Sequence, residues 1–127
     1  VAASPGEQAP GATAPRRGLI APLPGAVVRA GHPPLLRWTP VPGARYYNVQ
    51  LFRGRKIFSV WPTRPLHQLK MRWSYRGKRQ RLGPGRYHWI VWPGFGPRSK
   101  TNYGKQIGRS AFEVRALPPL AAMSGAR

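Results

Sequence analysis

The chain has 127 residues, enough for one compact domain with tails but not for two full domains. It carries 22 Lys+Arg against 2 Asp+Glu, a formal net charge of +20, with no Cys and no Asp. Disulfide frames, thiolate nucleophiles and zinc–thiolate sites are thereby excluded. The two acids, Glu7 and Glu113, lie too far apart in sequence to suggest a glycosidase pair or a calcium or magnesium cluster.

Residues 1–18 are rich in Ala, Pro and Gly and lack apolar periodicity, which predicts a disordered tail or linker. Residues 118–127, opening on Pro118-Pro119, read the same way. Between them, 19–117 is the size of one sandwich domain. Its strand signals come at regular spacing. Val27-Val28 follows a Pro-Gly turn, and 35–38 is a short apolar run stopped by Pro40 and Pro42. In 46–52, Tyr47, Val49 and Leu51 alternate with Asn48 and Gln50, until Gly54 breaks the run. A further strand over 56–61 ends at Pro62, and 66–71 sets Leu69 and Met71 on one face. The segment 70–81 is expected to be a basic loop with Gly77 at its tip. Tyr87, Trp89 and Val91 alternate over 86–91, a long loop fills 93–108, and 110–115 turns Phe112 and Val114 inward. Alternation at period two is the signature of a half-buried strand. Seven strands in about a hundred residues predict an all-β, antiparallel two-sheet sandwich, with a small closed barrel as the alternative.

The stretch 33–114 resembles a fibronectin type III-like domain, in the form found in bacterial, notably actinobacterial, secreted or envelope proteins. Trp38 in L-L-R-W-T-P-V matches the family's buried Trp on its second strand. The run Y-Y-N-V-Q-L supplies Tyr47, Val49 and Leu51 for the third. Leu82-Gly83-Pro84-Gly85-Arg86-Tyr87, followed by Trp89, matches the turn before the sixth strand, with Tyr87 one residue earlier than in animal members. The resemblance implies an immunoglobulin-like sandwich that is rarely catalytic. With the alternation, it gives an expected core of Trp38, Tyr47, Val49, Leu51, Leu82, Tyr87, Trp89, Phe112 and Val114.

Two clusters stand out as binding candidates. The first is basic: Lys70, Arg72, Arg76, Lys78, Arg79 and Arg81 fall within twelve residues, interleaved with Trp73 and Tyr75. Guanidinium groups engage phosphates and carboxylates in pairs of hydrogen bonds. Arg98, Lys100 and Lys105 add charge in the Gly-rich 93–108 loop. The second cluster is aromatic: Trp61, Trp92, Phe95 and Tyr103 sit at strand ends or in that loop, as a platform for a sugar ring or peptide. Trp92 is out of phase with its inward neighbours and is expected to face out. His32, His67 and His88 match no metal spacing, and no Asp exists to orient a His beside a Ser nucleophile. No enzyme, metal or cofactor is expected.

The favoured reading is a non-catalytic binding, adhesion or spacer module of an exported or cell-envelope protein. Its partners would be a protein or cell-wall polymer, with strong electrostatic affinity for polyanions: nucleic acid, anionic wall polymers or acidic lipid headgroups. An intracellular protein binding nucleic acid non-specifically through 70–81 is the alternative, and a carbohydrate-binding module a weaker one. No apolar run reaches the roughly 18 residues of a transmembrane span. The chain begins with Val1 and reads as a trimmed or mature product, so it gives no sign of whether an export signal preceded it. The sequence leaves oligomeric state open.

Overall fold

Alternating apolar residues bounded by Gly and Pro form strands, and among the described residues no stretch forms a helix. The computed structural model describes residues 18–100 and 102–116, an all-β arrangement of ten strands. In chain order these are β1 (Leu19–Ala21), β2 (Ala26–Arg29), β3 (Leu35–Trp38), β4 (Tyr46–Arg53), β5 (Arg55–Val60), β6 (Leu66–Gln68), β7 (Arg72–Tyr75), β8 (Lys78–Arg81), β9 (Gly85–Gly94) and β10 (Gly108–Arg115). They build a three-stranded sheet in the order β1-β3-β6, a five-stranded sheet β2-β10-β9-β4-β5, and the separate hairpin β7-β8.

The arrangement is consistent with a β-sandwich. Its strand count and sheet make-up differ from the seven-stranded antiparallel form expected. All seven expected segments carry strands, but three more appear. β1 is only three residues long, too short for alternation to register. β7 and β8 occupy the segment expected to be a loop, where charge masks the pattern. The larger sheet is mixed, because β2 runs parallel to β10, with Val27 opposite Glu113. The fifth expected strand, 66–71, ends at Gln68, although Leu69 is still buried. The tails expected at 1–18 and 118–127 fall outside the described residues, apart from Gly18.

The core lies between the two larger sheets. Leu36 and Trp38 from β3 meet Tyr47, Val49 and Leu51 from β4, with Tyr87, Trp89 and Val91 from β9 and Phe112 and Val114 from β10. Leu82, ahead of β9, joins them, so all nine residues named above as core are buried. Trp38 holds the centre, edge-on to Tyr47 at 5.4 Å and tilted against Trp89 at 6.4 Å. Tyr87 stacks on Phe112 at 5.4 Å, and its buried hydroxyl donates to the Gly83 carbonyl at 2.6 Å.

Two local features set up the surface. In the β4–β5 pair the register shifts between Leu51 and Phe52, which pair with Phe58 and Lys56, leaving Ile57 as an extra residue. Such a bulge bends the strand and turns the extra side chain; Ile57 is buried. Beyond it, Gly54 turns the chain so that Arg53 and Arg55 face each other across the tip.

Candidate anion-binding site

The basic segment folds as a tight hairpin. Tyr75 pairs with Lys78, leaving Arg76 and Gly77 as a two-residue turn with φ of 51° and 78°. Positive φ at both central positions matches the right-handed twist of the flanking strands. Gly accepts this conformation freely. Arg76 is the one non-Gly residue with positive φ among the described residues. At the base, the Leu82 amide donates to the Met71 carbonyl at 2.9 Å, and Leu69 and Leu82 are buried. Midway, the Trp73 indole N–H donates to the Ile57 carbonyl at 2.7 Å, while its ring meets Phe58 edge-on at 5.7 Å. The hairpin is therefore fixed to β5 rather than free in solvent.

Strand register divides the charges between two faces. Arg72 pairs with Arg81 and Ser74 with Arg79, so these three arginines share one face. Trp73 pairs with Gln80 and Tyr75 with Lys78 on the other, the face turned towards β5. Like charges directly opposite one another repel across a strand pair, so Arg72 and Arg81 gain nothing from being neighbours. Lys70 is exposed ahead of the hairpin.

Between the two hairpin tips lies a cleft of about 700 Å³. Arg53, Arg55, Lys56 and Ile57 form one wall, and Tyr75, Arg76, Lys78 and Gln80 the other. Five cationic side chains and no acid line it. Arg53 is held in place, its guanidinium donating to the Pro84 carbonyl at 2.6 Å and the Tyr87 hydroxyl at 3.1 Å and lying over the Tyr87 ring at 5.3 Å. Only Gly leaves room for this: a Cβ on Gly85 would come within 2.7 Å of that guanidinium. Burial pushes the Tyr87 phenol above its ordinary value, so it stays a neutral donor to Gly83. At the opposite tip, Arg76 lies over the Tyr75 ring at 5.5 Å.

Of the expected anion ligands, Arg76 and Lys78 thus enter the cleft. Arg72, Arg79 and Arg81 face away from it, and Arg98, Lys100 and Lys105 lie exposed in a separate loop. The sequence reading named Tyr75 beside the basic cluster but missed Arg53, Arg55 and Lys56. The signal was the R-G-R-K run at a turn, which places a second basic hairpin tip in the fold.

The aromatic candidates form a different surface. The Trp61 indole N–H donates to the Tyr103 hydroxyl at 2.9 Å, and both rings are exposed. Tyr103 meets the buried Tyr46 edge-on at 6.0 Å, and Arg98 lies over Tyr46 while bonding the Trp61 carbonyl. Burial, and then the Tyr103 hydroxyl, push the Tyr46 phenol up. The 93–108 segment is less open than expected. β9 runs on through Gly94, which bridges to Tyr103, and the Phe95 amide donates to the Asn102 carbonyl at 2.9 Å. Phe95 is half-buried in this fold-back. Trp92 is half-buried in β9 opposite Asn48, apart from the Trp61–Tyr103 pair.

Among the described residues no group of three His, Cys, Asp or Glu side chains could hold a metal ion, and no helix is long and apolar enough to cross a membrane. His67 packs on Phe58, and His88 lines a shallow groove with Phe52, Ile90 and Arg109. In comparisons with known proteins, no family model, no curated protein and no solved structure matches the chain.

Proposed function

We propose that this protein is a non-catalytic binding module for polyanions, serving adhesion, attachment or spacing in an exported or cell-envelope protein. One observation carries the binding clause. Among the described residues the one ion pair is Arg115–Glu113 at 3.2 Å, and five other cations converge on a cleft with no acid. Uncompensated like charge disfavours the compact state, and a bound polyanion relieves it. The export clause rests on the composition of residues 1–18 and on the fibronectin type III-like resemblance. That resemblance is supported by the central Trp38 and by the Tyr87 hydroxyl bonding back to Gly83.

The test is a salt titration against DNA, RNA, teichoic acid, acidic vesicles and a neutral glycan. Every polyanion should bind at low salt, with log K falling linearly as log salt rises. Failure to retain any polyanion at about 0.05 M salt would sink the reading. Glycan binding that ignores salt and disappears in Trp61→Ala would replace it with the carbohydrate reading.

A further inference from the structure

The cleft between the hairpin tips is more than a patch of charge. Its volume, about 700 Å³, lies within the range of small-molecule sites, roughly 300–1,000 Å³. Its lining is mixed: guanidinium and ammonium groups share it with Tyr75 and Ile57. A ligand of bare charges would leave the ring and the aliphatic surface unused. A ligand that alternates oxyanions with flat rings would use both. Guanidinium forks fit the oxygens of a phosphate. A ring or a guanidinium plane accepts a stacked base, and Arg76 over Tyr75 presents both together. Arg53 is locked by Pro84 and Tyr87 before any ligand arrives, so less side-chain entropy is lost on binding.

We propose that this cleft binds single-stranded nucleic acid, with Arg53, Arg55 and Lys78 on successive phosphates and a base stacked at Tyr75 and Arg76. This deepens the polyanion reading and rests on it. Duplex binding is not implied, because paired bases do not offer their faces to a ring.

The test measures binding of an oligothymidylate, inorganic polyphosphate, heparin and polyglutamate to the full chain across a salt series. Arg55→Gln and Lys78→Gln should each lower the salt slope for the oligonucleotide by about 0.7, the value for one single-strand phosphate contact. Arg37→Gln and Arg64→Gln, both exposed and outside the cleft, should leave it unchanged. Tyr75→Leu should weaken the oligonucleotide by about tenfold with the slope intact, and leave polyphosphate unaffected. Tyr75→Phe should retain affinity. In the unsubstituted protein, the Tyr75 ring and the Arg55 and Arg76 side-chain NMR signals should shift on adding the oligonucleotide, a readout that needs no variant to fold. Equal losses in cleft and control variants would overturn the cleft while leaving the polyanion reading intact. A silent Tyr75→Leu with unshifted ring signals, or tighter binding of heparin or polyglutamate at matched charge, would overturn the nucleic-acid assignment. No binding by any of the four would overturn both.

Discussion

Tyr87 serves two surfaces at once. Its ring fills the core against Phe112, and its hydroxyl accepts a hydrogen bond from Arg53 while donating one to the Gly83 carbonyl. Trp38 serves the core alone, between the sheets. Replacing either with Ala removes a large buried ring, and each should cost about 3–5 kcal/mol in denaturant unfolding. Trp92 keeps one face towards solvent, so Trp92→Ala should cost roughly 1–2 kcal/mol. Equal losses at all three would show that Trp92 is as buried as the other two. These inward residues were legible in the sequence because each sits in a strand that alternates for several positions. Arg53 was not. Its role depends on a carbonyl and a phenol more than thirty residues away, and no local pattern encodes that meeting.

The β7–β8 hairpin shows what alternation leaves out. Its inward positions are Trp73, Tyr75, Lys78 and Gln80, a mixture in which charge hides the period. Gly77 signalled a tip, and its partner at the turn gave no signal, since Arg is a poor choice for positive φ. Asn is the common residue there. Holding Arg76 in the left-handed region costs about 1 kcal/mol. Arg76→Asn should therefore raise the melting temperature while weakening polyanion binding. A variant that gains stability and binds as before would show that the Arg76 guanidinium takes no part. The all-β class and the positions of the long strands along the chain were thus readable from local pattern. The parallel pairing of β2 with β10 and the meeting of two hairpin tips were not, because both are set by contacts distant in sequence.

At the scale of the whole molecule, the shortage of acids changes the response to pH. Most proteins lose stability in acid as paired carboxylates protonate. Here Glu113 is the one acid among the described residues. A hydrogen bond from Arg115, and then the Arg115 and Arg86 charges, hold it below its ordinary value of 4.5. Its contribution is present above that value and lost as pH falls through the folded one; because the pair lies at the surface, with Arg115 exposed, it is small. His67 acts earlier. Burial, and then Lys70, lower it from 6.5, so the fold favours the neutral imidazole. As pH drops below 6.5 the unfolded chain takes up that proton first, and stability falls. Melting temperatures from pH 8 to 3 should show their main step starting near neutrality, and His67→Asn should remove it. A dominant step near pH 4 would point instead to carboxylates.

The bond from Trp73 to Ile57 has a further consequence. β5 is the outermost strand on its side of the five-stranded sheet, and an exposed sheet margin is a template on which a second chain can add a strand. The indole occupies a carbonyl on that margin and brings the hairpin alongside. At the other margin β2 has only four residues, a short template. The element that gathers charge for a ligand thus also guards the fold against joining copies of itself into a continuous sheet.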